Sequence, residues 1–461
     1  MSQQTTPEGE SDAFPMDRRT FTAGLGGAAA ASMAGCLGGD DEGSSELLTT
    51  YTAEVEEESY QGAIDDYHEE VGEHNFQISG AGWDDVFDRL TDAERTGNWP
   101  DLVMFLENQW LSMLYEDDLV ADPSRLIGAA ETHAGEIMDD VPETHYQTLD
   151  GEPYSVQSNN QGQMLWLRDD LLEEIDEDLP ETWQDELRVM EAMEENADDL
   201  GIQHAAALAT SRTLYTDNVL HGRFKGAGGD LMDPELNPSL DSQYLRDALE
   251  HWNALSEFTP DGTETWGFDD VYTNYASGQT GSCYYWGRAI MNLVTLSPEH
   301  ADDINGVQYP IPDTGSARPN NRLLMTGDGA QLPEGASNPD IIEDWWELYM
   351  KPEHIVETLM NGVPGNTCPI YEEHLEPWEN FDIWSELPNG ERLRDQIFEA
   401  ANSSHPYNRE SPDHELFGAV GTLAGEGIYS ESASEYFIGN LELDETVEEI
   451  QQKAEEFMDD Q

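Results

Sequence analysis

The sequence predicts an α/β protein folded as two lobes. The chain has 461 residues, more than a single hydrophobic core organises well. Short apolar runs alternate with stretches whose apolar residues recur at helical spacing, the pattern of a doubly wound sheet. Two extended segments, Gly151–Val156 and the Pro- and Asn-rich loop Pro312–Asn321, interrupt the alternation and suit chain crossing between two bodies.

The first elements precede the fold. Arg18-Arg19 stands before Thr20-Phe21 and a bland apolar stretch that reaches Gly35. That stretch is too short and too glycine-rich for a membrane span. A charged start, an apolar middle and small residues at the end fit an export signal. The arginine pair resembles a twin-arginine signal, and Met33-Ala34-Gly35-Cys36 resembles a lipobox, in which Cys36 becomes the lipid-bearing first residue. Residues 1–36 are therefore read as signal and lipobox, and 37–46 as a flexible acidic, Gly-rich linker.

The first lobe opens with strand Leu47–Ala53, helix Tyr60–Val71, strand Asn75–Ser79, helix Asp84–Arg95 and strand Asp101–Phe105. DLVMF is almost wholly apolar, as in a buried parallel sheet. Gly151–Val156 leaves this lobe, which is given the bounds 47–155. The second lobe, 156–312, holds strand Met164–Arg168, helices Asp169–Ile175 and Trp183–Glu195, helix Asp241–Phe258, helix Phe268–Ala276, strand Gly281–Tyr285, helix Gly287–Leu296 and strand Val307–Ile311. Thr182 is the expected N-cap of the Trp183 helix. Residues 313–360 return to the first lobe with helix Pro339–Met350. Residues 361–461, which include helix Leu443–Met458, are expected to complete the second lobe and hinge.

Charge is the other dominant signal. Lys and Arg total 19 against 98 Asp and Glu, a formal net charge of −79. Self-repulsion on that scale strains a compact state. The Debye length is about 10 Å at 0.1 M salt and about 3 Å at 1 M, so the surface suits strong brine. The 12 Trp, 18 Tyr and 13 Phe argue for packing rather than disorder. No basic stripe exists to neutralise phosphates, which excludes nucleic acid as a partner and disfavours anionic ligands.

Several motifs, in order, carry a resemblance. Trp83-Asp84-Asp85-Val86-Phe87-Asp88-Arg89-Leu90 resembles a W-x-x-hydrophobic-x-x-x-L helix, and Gly97–Phe105 a G-x-x-P-D-hydrophobic strand entry. Gly151–Val156 resembles GKxYGVP, with Gln157 where proline is usual; Met164–Leu172 resembles hhYNKDLF; Leu179–Trp183 resembles PPTW. Tyr275–Gln279 and Tyr309–Pro312 supply FxxGxxAM-like and hPhP-like pieces. Together they resemble family 1 of the extracellular solute-binding proteins of ABC importers, the sugar-binding lipoproteins, here of haloarchaeal type. The resemblance implies a two-lobed periplasmic-binding-protein-like (Venus flytrap) fold. It also implies ligand in the cleft, no catalysis, no cofactor, a monomer, and delivery of a saccharide to a membrane permease.

A sugar site needs flat aromatic faces and planar polar groups, and α/β lobes present ligands at the carboxyl ends of strands. Those ends supply Glu54, Trp83, Asn108, Gln109 and Trp110 in the first lobe. Gln157, Asn159, Asn160 and Gln161 follow the first crossover, and Trp266, Trp286, Arg288, Asp328 and Asn366 are further candidates downstream. Trp166, Trp183, Trp345 and Trp346 fall inside periodic elements and are read as core. Cys283 and Cys368 are open between a disulfide and two free thiols, and Asn402-Ser403-Ser404 is a glycosylation triplet. The competing classes are a glycan hydrolase, a binder of a glycerol phosphate, and a calcium-stabilised adhesin. No H-E-x-x-H, Walker loop, G-x-S-x-G or EF-hand spacing occurs.

Overall fold

The computed structural model describes residues 43–460 apart from 51–53, 81–85, 108–110, 112–113, 116–117, 139–140, 142–147, 150–151, 236, 315–316, 318–323, 326, 363–364, 388, 404 and 407–426. Two mixed sheets organise it. The first contains β1 (Ser44–Thr49), β2 (Asn75–Gly80), β3 (Leu102–Glu107), β4 (Val156–Asn159) and β9 (Asp328–Gln331), in the order β2-β1-β3-β9-β4. The second contains β5 (Met164–Arg168), β6 (His204–Ala207), β7 (Thr280–Tyr285) and β8 (Ile304–Val307), in the order β8-β5-β7-β6. β1, β2 and β3 run parallel, and β9 lies antiparallel between β3 and β4. In the second sheet only the β6–β7 pair is parallel. The chain thus crosses from the first sheet to the second at 160–163 and returns between Val307 and Asp328.

β1 starts at Ser44, inside the expected linker. Ser44–Glu46 pair with Asn75–Gln77, and Glu46 is held further by Arg89, by Ser79 Oγ at 2.6 Å and by the Asp101 carboxylate, which accepts from its backbone N–H at 3.0 Å. Helix α1 (Glu54–Glu70) buries Tyr60, Ala63, Ile64 and Tyr67 at i, i+3, i+4 and i+7. α2 (Val86–Thr96) follows β2, and α3 (Ser124–Ala134) packs against α10 (Pro339–Tyr349).

In the second lobe α4 (Asp169–Ile175) follows β5, and α5 (Trp183–Glu195) opens with a reciprocal cap. Thr182 Oγ1 accepts from Asp185 N at 3.1 Å while the Asp185 carboxylate accepts from Thr182 N at 3.2 Å. α6 (Leu214–Ala227) is absent from the sequence reading. Thr216, Asp217, Asn218, His221, Arg223 and Lys225 are all buried with its apolar residues, so no polar face marks it. α7 (Gln243–Ser256) is capped by Ser242, and α8 (Phe268–Ala276) and α9 (Arg288–Leu296) bracket β7.

Two expectations are corrected. The strand expected at Val307–Ile311 is instead Ile304–Val307, paired with Leu165–Arg168. Pro310 has no N–H for a ladder, and the carbonyls of Pro310 and Ile311 accept from the Trp183 indole at 2.8 Å and the Trp183 backbone at 3.0 Å. Nor does everything after 361 complete the second lobe. After α11 (Pro352–Glu357), α12 (Glu372–Glu379) packs on α11 and α3, and Glu372 N donates to Glu136 O at 3.0 Å. The helices α13 (Gly390–Ser403), α14 (Ser430–Phe437) and α15 (Leu443–Asp460) join the second lobe, against β8, α6 and α7, and the short helix Asp382–Glu386 packs on α13. Trp166, Trp345 and Trp346 are wholly buried and Trp183 nearly so. Among the described residues no helix is long and apolar enough to cross a membrane.

Candidate functional site

Strand direction decides where chemistry can gather. In the first sheet Asp328, the first residue of β9, pairs with Glu107 at the end of β3 and with Asn159 at the end of β4. The carboxyl edge of the parallel strands therefore carries Thr49 and Thr50, Glu107, Asn159 and Asp328. A bulge shapes this edge. Gly329 pairs with Leu106 and Ala330 with Met104, so Phe105 is the extra residue, and its φ of 55° lies in the left-handed region. Bulges of this kind re-aim the strand that follows them. Thr50 Oγ1 donates to the Phe105 carbonyl at 2.5 Å and holds the bend.

In the second sheet β6 and β7 end at Ala207 and Tyr285, and an aromatic group forms there. Phe268 meets the Trp286 ring at 5.7 Å, Tyr285 at 6.4 Å and Tyr215 at 5.6 Å; Tyr272 meets Tyr285 edge-on at 5.4 Å. Trp286 is 6% exposed, and its carbonyl, with that of Tyr285, accepts from the Trp166 indole. Trp266, Phe268 and Tyr272 keep partial exposure. Burial pushes the Tyr272 and Tyr285 phenols upward in pKa, while the nearby Arg288 guanidinium pulls them back. The phenols are donors at neutral pH, and a cation lies within reach of both.

The two edges meet through the crossover. Asn160 and Cys368 exchange backbone hydrogen bonds at 2.9 and 2.7 Å, so segment 365–368 runs beside the first crossover. Gln161 Nε2 donates to both Asp328 carboxylate oxygens at 3.1 and 3.2 Å; Asn366 Nδ2 donates to Gln161 Oε1 at 2.7 Å; Arg288 N donates to Asn366 Oδ1 at 3.2 Å. Asn160 Oδ1 accepts from Gln157 Nε2, and Asn159 Nδ2 donates to Ser158 Oγ at 3.3 Å. Asn159 Oδ1 and Gln157 Oε1 are buried without a hydrogen-bond partner.

Of the residues named from sequence, Asn159, Asn160, Asp328, Asn366 and Arg288 gather at this junction with Trp286; Trp266, half-buried two residues before Phe268, has its carbonyl held by the Ser211 hydroxyl. Glu54 begins α1; its side chain, and all of Trp83, Asn108, Gln109, Trp110, Arg18, Arg19 and Cys36, lie outside the described residues. The sequence reading passed over Phe268 and Tyr272. Their i, i+4 spacing directly after Trp266 was the available signal.

Cys283 and Cys368 are both free and buried, with thiols that burial pushes well up in pKa. Asp170, His300 and Asp303 bring ligand atoms within 4.8 Å of one another and could hold a metal. Asp170 already binds the Arg168 guanidinium at 3.0 and 2.6 Å, and burial with that same guanidinium holds the His300 imidazole below its usual pKa. A groove of ≈ 910 Å³ borders β8, lined by Leu179, Pro180, Ile311, Pro312, Gln396 and Glu399 among others, and none of the expected site residues lines it.

This architecture defines a class. The model of the bacterial extracellular solute-binding protein family matches residues 52–354, and the chain belongs to that family. It is 20% identical over 304 residues to the ABC transporter periplasmic-binding protein YcjN of Escherichia coli K12, a match that takes in 64% of this chain and 65% of the relative's length. Among solved structures it is similar to maltose-bound MalE3 of T. maritima, with a TM-score of 0.72 and 15% identity over 89% of this chain and 99% of that one. It is also similar to the solute-binding protein of Agrobacterium vitis S4 with bound D-mannitol, with a TM-score of 0.69 and 16% identity over 90% and 98%. A third is the Agrobacterium radiobacter K84 protein in complex with ribitol, with a TM-score of 0.72 and 12% identity over 90% and 99%. These likenesses establish the two-lobed periplasmic-binding fold.

Proposed function

We propose that this protein is the substrate-binding subunit of an ABC importer, and that it captures a neutral sugar or polyol outside the cell and passes it to a membrane permease. The family match across residues 52–354 carries this reading. The chemistry of the junction supports it. Trp266, Phe268, Tyr272 and Trp286 offer flat faces on the second lobe, and Arg288 a guanidinium. Glu54, Trp83, Asn108, Gln109 and Trp110, which follow the first three strands in sequence, are further candidates for ligand contact. Asn159, Asn160 and Asp328 form the floor, and Asn366 ties it to the start of α9. With 98 acidic residues against 19 basic, a phosphorylated ligand is disfavoured. Nothing in this role requires catalysis. Residues 1–36 would direct export, and Cys36 would anchor the mature chain to the outer face of the membrane.

Thermal unfolding in molar salt with maltose, D-mannitol, ribitol and further saccharides tests the reading. A ligand at 100 times its Kd adds about 2.7 kcal/mol, so one compound should raise Tm clearly, and Phe268→Ala or Trp266→Ala should abolish the shift. No shift with any sugar or polyol would refute this substrate class. Cys36→Ser should release the protein into the medium; continued membrane association would refute the anchor.

A further inference from the structure

We propose that Asn366 is a helix cap lent by one lobe to the other, and that this contact sets how far the lobes stand apart. The inference rests on the two-lobed reading but not on the identity of the ligand. α9 begins at Arg288 behind Gly287, an N-cap residue with no side chain to satisfy the first helical N–H groups. Asn366 Oδ1 takes that role and accepts from Arg288 N at 3.2 Å. Asn366 belongs to a segment flanked by α11 and α12, which pack in the first lobe, and that segment is pinned to the crossover by the Asn160–Cys368 pair. The cap therefore crosses from one lobe to the other.

The chain behind Asn366 gives the contact its polarity. Asp328, fully buried in β9, offers acceptors to Gln161, so Gln161 must present its NH₂ to the carboxylate and its oxygen to Asn366. Asn366 must then present its NH₂ to Gln161, which leaves its oxygen for the Arg288 N–H. Each amide has one orientation that satisfies both neighbours. Gln161 is 3% exposed, and in such a site a reversed amide would oppose like groups with little water to compensate. Beside the cap the backbones touch. A Cβ on Gly287 would lie 1.5 Å from the Gly365 carbonyl oxygen, so only glycine lets the second lobe approach this closely. Gly365 itself has a φ of +72°. Rotation of the second lobe away from the first must break the Arg288–Asn366 bond, because Asn366 stays with Gln161, Asn160 and Cys368. Asn366 and Gln161 are thus positioning residues that act on ligand affinity through the lobe angle.

The test is small-angle X-ray scattering of the full mature chain in molar salt without ligand, on wild type, Asn366→Ala and Gly287→Ala, with far-UV circular dichroism alongside. The wild-type radius of gyration should match this structure. Asn366→Ala should enlarge it at unchanged helix content, and Gly287→Ala should enlarge it more, since the added methyl forces the backbones apart. Where Gly287→Ala does not fold, Asn366→Ala decides. Titration with maltose and with D-mannitol should show about tenfold weaker binding in Asn366→Ala for whichever one the wild type binds, with the liganded radius restored to the wild-type value. An unliganded radius equal to wild type in the folded variants overturns the latch. Failure of wild type to bind either probe bears on the sugar reading and leaves the scattering comparison standing.

Discussion

Arg223 and Glu186 meet inside the second lobe with neither side chain exposed. The guanidinium reaches Glu186 at 3.2 Å and His251 Nδ1 at 2.6 Å, and lies over the rings of Tyr284 and Trp252 at 4.6 and 5.0 Å. Tyr284 donates its hydroxyl to the same Glu186 oxygen, and His251, stacked on Trp183, donates Nε2–H to the Trp183 carbonyl at 3.2 Å. Burial pushes the Glu186 carboxyl up in pKa, while Arg223 and Tyr284 pull it down. Removal of one partner leaves the other charge buried and uncompensated, at a cost of about 3–5 kcal/mol. Arg223→Met should lower stability by that amount in urea titrations at molar salt, and Glu186→Gln by a similar amount. The double variant should lose less than the sum of the two, because no stranded charge remains. Additive losses would show that the pair is not coupled.

At the scale of elements, α6 lends its Asp217 carboxylate to the start of α14. Asp217 Oδ1 accepts from the backbone N–H groups of Tyr429 at 2.7 Å and Ser430 at 3.1 Å, which ties two segments 212 positions apart. Burial raises its pKa to about 6 from 3.8, against the pull of the hydrogen bonds and of Lys453. A folded-state value above the unfolded one gives stability that is fully present below pH 3.8 and lost as pH rises through 6. The charge should therefore cost about 3 kcal/mol at pH 8. Asn at 217 keeps an oxygen for both N–H groups without the charge. Asp217→Asn should melt above wild type at pH 8, and the gap should close by about pH 4, as measured by melting in buffered molar salt. A constant gap would place the effect in packing instead. The same helix shows why part of the fold was not legible in sequence. The helices at Asp169–Ile175, Trp183–Glu195 and Phe268–Ala276 were readable because one face of each is wet and a cap or turn marks an end. α6 is buried all round, with polar residues whose partners lie far off in sequence, so no period betrays it. β8 was misplaced by three residues because apolar character continues past Val307 into prolines that cannot pair. The site was legible as strand ends, a rule of topology. Which residues there close the hinge was not, because Gln161, Asn366 and Arg288 come from three distant segments.

On the whole molecule the governing quantity is the net charge of −79. Ion pairs such as Arg95–Asp92 and Arg212–Glu431 are exposed on both sides, and exposed pairs contribute about 0–1 kcal/mol each. With 19 basic residues for 98 acids, most carboxylates can only be screened by solvent ions. The two lobes carry this burden differently from a single core. Each has its own sheet, but buried apolar packing runs on from one to the other, and that packing, a few neutral hydrogen bonds and the Gly287–Gly365 approach must oppose the repulsion between two acidic bodies. At 1 M salt repulsion reaches about 3 Å, and at 0.1 M about 10 Å, enough to act between lobes before it unfolds either. Dilution of salt should therefore act in two stages. The radius of gyration should rise first, with far-UV circular dichroism unchanged, and cooperative loss of structure should follow toward about 0.1 M. Controls matched to constant water activity with trimethylamine N-oxide, which is neither sugar nor polyol, separate screening from dehydration. A radius and a circular dichroism signal that change together would mean that the lobes unfold as readily as they part, and retention of both at 0.1 M would mean that the acidic surface does not depend on screening.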